Sequence, residues 1–244
     1  MDIKEYEQMQ PHVVSDGLVF LTPNQHCAWR VETLYTKEPD TIEWIGKMKP
    51  GETLFDVGAC MGGYSLLAAK KGVIVHAFEP ESQNFALLCR NIAINKLGEL
   101  ITPWPISISD GCSIDKFYVQ SLMAGGSCSS YGEEVNFHLK PKSYAFHQGS
   151  ISIHLDKFVD NHSLPDHVKI DVDGLEHKVI SGMHIILKTV KSVLVEMNRG
   201  LLEHNKIFEI MLDKGLYPDL ETAEKARRKE GAFENIGNVI FYRV

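Results

Sequence analysis

Residues 53–80, TLFDVGACMGGYSLLAAKKGVIVHAFEP, decide the fold. The apolar run Leu54, Phe55, Val57 leads directly into Gly58-Ala59-Cys60-Met61-Gly62-Gly63, and Tyr64, Leu67 and Ala68 then recur at helical spacing. The segment therefore reads strand, glycine turn, helix. Glycines let the backbone pass beneath a ligand with no Cβ in the way, and the helix that follows offers unpaired N–H groups and the positive end of its dipole. A second buried strand, residues 73–78, ends in Glu79, whose carboxylate can accept hydrogen bonds from both hydroxyls of a ribose. An adenosine-bearing ligand is expected.

The glycine spacing narrows the choice of ligand. Dinucleotide sites use G-x-G-x-x-G, in which the second glycine admits a pyrophosphate, whereas Gly58, Gly62 and Gly63 read G-x-x-x-G-G. Asp56, two residues before the first glycine, would repel a pyrophosphate and favour a ligand bearing a cation; S-adenosylmethionine carries an ammonium and a sulfonium. A glycine loop alone serves equally well as a tight turn. Asp56 and Glu79, each at a strand end, shift the balance toward a ligand site.

Composition bounds the answer. A chain of 244 residues that is 44% hydrophobic and 23% charged can bury a full core, and one large domain is expected. The net charge of −7 is spread along the chain with Arg227-Arg228-Lys229 as its basic cluster, so no footprint for nucleic acid or an anionic membrane is visible. No apolar run has the length of a membrane span, and the polar start MDIKEYEQMQ is unlike a signal peptide; a cytoplasmic location is expected. The cysteines at 27, 60, 89, 112 and 128 are odd in number and lack a C-x-x-C, which points to free thiols.

Beyond Pro80 the strand and helix alternation continues. Ser82 is expected to cap a helix carrying Phe85, Leu88, Ile92 and Ile94. Residues 101–108 suggest a third strand, which would place Ser107 and Ile108 at its carboxyl end, where ligands of open α/β sheets bind. Residues 112–153 break the rhythm: β-like pieces at 116–119 and 135–139 flank the polar stretch 125–131, which reads as an inserted hairpin or lid. Its histidines, His138 and His147, are acid–base candidates or solvated loop residues. A short helix is expected over 155–161, then a fourth strand over 167–172.

That strand runs into D-V-D-G-L-E, residues 171–176, followed by a helix to about Met183. The next strand, from Ser192, ends in Glu196-Met197-Asn198. Neighbouring strand ends would bring Asp171, Asp173, Glu176 and Glu196 beside the ligand cleft, where carboxylates can bind a cation, act as base or hold loops. Structural work is assigned to Asp173 and Glu176, chemistry to Asp171 and Glu196. Two last strands, at 216–220 and 238–243, flank a charged helix or loop at 221–230.

FDVGACMGGYSLLAA, AFEP, ISISD, VKIDVDGLEHKVISGM and LVEMN, in this order and spacing, resemble the FkbM-type methyltransferases, a branch of the class I S-adenosylmethionine-dependent enzymes. The resemblance covers roughly residues 30 to 244, with K-I-D-V-D-G-x-E as its most specific block. It implies a Rossmann-like, doubly wound, seven-stranded and mostly parallel sheet with an antiparallel last strand; the arm or cap over residues 1–30 and the 112–153 insertion are read from the residues beside it. It implies S-adenosylmethionine as donor and transfer to a hydroxyl oxygen of a sugar or other small metabolite.

The donor residues it implies are Glu38, Asp56, Gly58, Ala59, Tyr64, Glu79, Pro80, Asn84, Ser107, Ile108 and Asp171. Within that set Asp56 and Gly58 would line the methionine portion, Glu79 the ribose, and Ser107 with Ile108 the adenine. Residues 35–39, Tyr35 to Pro39, look like the family's lead-in segment, which closes over the donor. Asp171 is the first candidate for base or acceptor-orienting group, Glu196 the second, and His154 or His177 the third. The chain departs from the family at Cys60-Met61 and at Asp173, where glutamate is more frequent. Asp171, Glu196 and Asn198 occupy positions where some O-methyltransferases hold magnesium, yet no metal is expected. The alternatives are a non-catalytic S-adenosylmethionine-binding or scaffold protein and a nicotinamide-dependent oxidoreductase. Residues 1–30 serve equally as a cap or as the arm of a homo-oligomer.

Overall fold

The computed structural model of the protein describes residues 10–14 and 16–244. Its first part is a hairpin, β1 (Gln10–Val13) and β2 (Val19–Thr22), followed by helices α1 (Gln25–Glu32) and α2 (Pro39–Gly46). The expected strand, glycine turn and helix follow as β3 (Thr53–Val57) and α3 (Gly63–Lys70), then β4 (Ile74–Phe78), α4 (Ser82–Ile94) and β5 (Ile101–Trp104). The irregular middle contributes β6 (Ser107–Ile108), β7 (Ser113–Val119), β8 (Ser130–Tyr131) and β9 (Phe146–Ile153). The chain closes with α5 (Leu155–Phe158), β10 (His167–Ile170), α6 (Glu176–Ser181), β11 (Ser192–Asn198), α7 (Leu202–Asp213), β12 (Leu216–Pro218), α8 (Leu220–Ala226) and β13 (Ile236–Arg243).

Seven strands form one sheet in the order β12-β13-β11-β10-β3-β4-β5. Neighbouring strands from β11 to β5 are parallel, and β13 enters antiparallel between β11 and β12. The order reverses at the β3–β10 pair, so the carboxyl ends of these strands diverge there into a crevice. Side chains along β3 alternate between two cores. Leu54 packs with Leu66, Val75 and Leu88 on one face, and Phe55 and Val57 pack with Val168, Ile170, Val195 and Phe241 on the other.

Several expectations are corrected at this level. The strand expected over 101–108 ends at Trp104; Pro105, which has no N–H to donate, breaks it, and Ser107–Ile108 instead pair with Ser152–Ile153 in a second sheet of order β6-β9-β7-β8. Val135 makes a single bridge to Pro141 in place of a strand over 135–139. The cap of α4 is Glu81, whose side chain accepts from the Asn84 N–H, and Ser82 is the first helical residue. Helices α5 and α6 are shorter than expected, and 221–230 is helical only to Ala226.

Residues 1–9 and 15 of the expected arm or cap lie outside the described residues. The rest is sewn to α4: the Val19 and Leu21 N–H groups donate to Asn95 Oδ1 and Asn91 Oδ1, both at 2.8 Å. Phe20, Cys27 and Val31 complete the first core. Among the described residues no helix is long and apolar enough to cross a membrane. All five cysteines are free.

Candidate active site

A cavity of about 460 Å³ opens beyond the carboxyl ends of β3, β4, β10 and β11. The glycine turn forms its floor. Gly58 has φ +83°, and a Cβ there would sit 1.9 Å from the carbonyl oxygen of Asp171, so this crossing of two chain segments admits only glycine. The Gly58 and Ala59 N–H groups both donate to the Phe78 carbonyl at 3.0 Å. That bond ties the turn to the strand that delivers Glu79.

Glu79 is 5% exposed and accepts from the Cys60 N–H and the Glu81 N–H, each at 2.8 Å. Burial pushes its carboxyl up to about 8, against the pull of these two donors. A carboxylate offers about four acceptor sites, so about two remain for a ligand. Pro80, Ser107 and Ile108 border the same cavity, and Ser107 Oγ lies 3.0 Å from Ser150 Oγ.

Asn84 borders the cavity too, but its amide is spent on the chain. It accepts from the Gly125 N–H at 2.7 Å and donates to the Gly126 carbonyl at 3.0 Å. Arg30 Nε donates to the Gly125 carbonyl at 2.7 Å, Asn24 to the Ala124 carbonyl at 3.0 Å, and the Cys128 N–H to Asp173 Oδ2 at 2.6 Å. Residues 124–128 thus form a strap tied to α1, α4 and the turn after β10. Gly126, Ser127 and Ser129 line the cavity beneath it.

The acidic groups divide into three sets. Asp171, Asp173 and Glu196 border the large cavity. Glu38, Ala59, Tyr64 and Lys169 border a smaller space of about 70 Å³ that shares Gly58 and Asp171 with the first. Asp56 borders neither. Its Oδ2 accepts from Ser65 Oγ at 2.5 Å and its Oδ1 stands 3.7 Å from Lys169 Nζ, so the carboxylate expected against a methionine portion is turned to a buried lysine instead. Glu176 is withdrawn as well: it accepts from the Val172 and Gly174 N–H groups and shapes the turn.

Lys169 Nζ reaches Asp171 Oδ2 at 3.2 Å. Burial alone would raise the Asp171 carboxyl, but Lys169 and Lys37 hold it below the usual carboxylate range. Asp173 is pushed up to about 7 by burial and by Asp171. Glu196 is raised well above its ordinary value by burial, Asp171 and Glu38, although Arg228 Nη1 lies 3.3 Å away. Glu38 accepts from Tyr64 Oη at 2.9 Å and Asn238 Nδ2 at 3.1 Å and pairs with Lys37 at 3.1 Å.

None of the histidine candidates borders either cavity. His154 caps α5 through Nδ1, His177 lies on α6, and His138 hydrogen-bonds to Asn198 and to the Ala232 carbonyl. His147 lies on β9, near Tyr118. The cavity also takes Trp29 and Arg30 from α1, Lys37, Arg228 and Phe233. Of these, Lys37 belonged to the 35–39 segment expected to close over the donor, and the others were not among the expected site residues. Arg228 belonged to the charged stretch 221–230 and Trp29 to the arm, and only the pairing with Glu196 and the packing of α1 bring them to the site.

A family model described as Methyltransferase FkbM domain matches residues 56–216. The chain is 25% identical over 175 residues to the hexuronic acid methyltransferase AglP of Haloferax volcanii, a match covering 71% of this chain and 67% of that protein. It is 33% identical over 82 residues to the 31-O-demethyl-FK506 methyltransferase FkbM of Streptomyces tacrolimicus, covering 33% of this chain and 32% of that one. In fold it is similar to the solved structure of PH0793 from Pyrococcus horikoshii, with a TM-score of 0.50 and 13% identity over 96% of this chain and 70% of that one.

Proposed function

The chain belongs to the FkbM methyltransferase family, and on that premise we propose that it transfers the methyl group of S-adenosylmethionine to a hydroxyl oxygen of a sugar or another small metabolite. The observation that carries this reading is the single cavity bordered both by Gly58, Glu79 and Ile108 and by Asp171 and Glu196. The residues suit the donor on physical grounds. The volume lies within the roughly 300–1,000 Å³ of small-molecule sites. Gly58, required where the turn crosses Asp171, borders the cavity without a side chain to fill it, and Glu79 keeps acceptor capacity for a ribose.

In this reading Glu79 holds the ribose, Ser107 and Ile108 border the adenine with Pro80, and Gly58, Ala59 and Asp171 border the methionine portion. Glu38 and Tyr64 support that end from below, and Asn84 acts by holding the strap. The donor supplies an electrophilic methyl on a cationic sulfur. Asp171 accepts the hydrogen bond of the acceptor hydroxyl, orients its oxygen and takes its proton, and Glu196 is the second carboxyl at hand. The strap over the cavity excludes water.

The name of the Streptomyces relative puts its methyl group on an oxygen, and that of the Haloferax relative gives a hexuronic acid as its substrate. The first supports transfer to oxygen and the second a sugar-derived acceptor, which offers hydroxyl and carboxylate oxygens alike. A nicotinamide cofactor is disfavoured by the G-x-x-x-G-G spacing, and a scaffold role by the carboxyl groups retained opposite Glu79. The test is a panel of methyl glycosides, uronic acids and other polyols incubated with methyl-tritiated donor. A methyl ether with equimolar S-adenosylhomocysteine is expected. Methylation confined to a carboxylate, nitrogen or carbon, or no turnover on any member, would overturn the reading.

A further inference from the structure

A buried ammonium is costly unless it is paired, and Lys169 is 2% exposed. Strand register explains how it gets there. Lys169 lies opposite Asp56 in the parallel β10–β3 pairing, and it precedes Asp171 by two residues, so both point to one side of the sheet. Its Nζ stands 3.7 Å from Asp56 Oδ1, 3.2 Å from Asp171 Oδ2 and 5.3 Å from the centre of the Tyr64 ring. Asp56 Oδ1 has no hydrogen-bond partner, so the neighbouring ammonium is what compensates it. The first acidic residue of the glycine loop is thereby a counter-ion for Lys169.

We infer that Lys169 is a positioning residue of the methyl-transfer site: anchored by Asp56 on one side, its ammonium fixes the direction and charge of the Asp171 carboxylate on the other. The inference rests on the role given to Asp171 in the proposed function. Titratable groups face Asp171 and Lys169 from the elements around them: Arg30 of α1, Lys37 and Glu38 before α2, Asp56 of β3, Tyr64 of α3, Asp173 and Glu176 beyond β10, and Glu196 of β11. Burial pushes Asp171 toward the neutral form, and Lys169 is the strongest opposing charge.

The test uses Lys169→Met and the double variant Lys169→Met/Asp56→Asn. The single change leaves Asp56 buried without a counter-ion; the double change removes both charges, and an asparagine can still accept from Ser65. The Asp171 carboxyl is followed by ¹³C NMR in aspartate-labelled protein without donor, its signal identified by its loss in Asp171→Asn. Its midpoint should rise in both variants by roughly one pH unit or more, since an opposite charge within about 4–6 Å lowers a carboxyl by about 1–3 units. Methyl transfer at neutral pH should fall by roughly tenfold or more because the Asp171 carboxylate, still mostly ionised there, loses its fixed direction, and the acidic limb of the pH profile should move up with the midpoint. S-adenosylhomocysteine affinity by calorimetry should stay at the wild-type value.

An unchanged Asp171 midpoint, or wild-type transfer in the double variant, would reduce Lys169 to a counter-ion for Asp56 and overturn the inference. A loss of S-adenosylhomocysteine affinity that matches the loss of rate would make Lys169 a donor ligand, which also overturns it. Failure of both variants to fold by circular dichroism would assign Lys169 to stability alone. The parent reading fails separately: it falls if Asp171→Asn transfers methyl groups at the wild-type rate, whatever the Lys169 variants do.

Discussion

Around Glu79 the cavity wall is made by near neighbours: its two backbone donors are Cys60, 19 residues away, and Glu81, two residues away. The wall around Asp171 and Glu196 is assembled across the chain. Glu38 is held by Asn238, 200 residues away, Glu196 meets Arg228 at a separation of 32, and Asp173 takes the N–H of Cys128 from the strap at 45. The first wall is a property of one supersecondary unit and should tolerate changes elsewhere. The second exists only once the antiparallel β13, the strap and the segment before α2 are all docked. Donor binding and methyl transfer should therefore separate under substitution.

The largest separation is expected at Asp171. Asp171→Asn keeps the shape and removes the base, so single-turnover transfer should fall by roughly 10²–10⁴-fold while donor affinity stays close to wild type. Parallel losses of affinity and rate would merge the two walls. Next comes Glu79→Ala, which leaves the ribose hydroxyls without their carboxyl partner at a cost of about 1–3 kcal/mol and should weaken donor binding by roughly 5- to 150-fold with folding intact. An unchanged donor affinity in the folded variant would move the ribose site elsewhere.

A smaller effect is predicted in stability. The folded-state carboxyls of Glu79, at about 8, and of Asp173 and Glu176, at about 7, lie above their unfolded values. Between those values the native protein binds more protons than the unfolded chain, so stability falls as pH rises. Below about pH 6.5 the buried His204 and the half-buried His76 and His177, all shifted down, act in the opposite sense. The melting temperature without ligand should therefore decline from about pH 6.5 to about pH 9, and Asp173→Asn should flatten the decline. A melting temperature that climbs over this interval would contradict the assignment of buried neutral carboxyls. The smallest effect is expected from chelation: transfer should be unchanged by EDTA, and loss of activity restored by magnesium would place a cation among Asp171, Glu196 and Asn198.

What could be read in advance follows the same division. β3, the glycine turn, β4 and Glu79 declare themselves through period, glycine placement and a charged residue at a strand end, all within 28 residues of sequence. The five-residue run at 167–171 likewise announces a buried strand ending in an acid. The pairing of Asp56 with Lys169 was hidden because it depends on the register of two strands more than 100 residues apart, and Lys169 within an apolar strand gives no sign of its partner. A hairpin or lid was expected around 125–131, but the ties of the strap were illegible for another reason: its bonds run from backbone atoms of a polar loop to Asn24, Arg30, Asn84 and Asp173, and no side-chain period marks such bonds. Pro105 was the available signal that 101–108 would not run as one strand.

The account stands on an adenosyl donor lying against Glu79, and calorimetric titration of the wild-type protein with S-adenosylhomocysteine and, separately, with NAD tests it most directly. One S-adenosylhomocysteine should bind per chain, with no heat above dilution from NAD. Binding of NAD, or no binding of S-adenosylhomocysteine by folded protein, would contradict it.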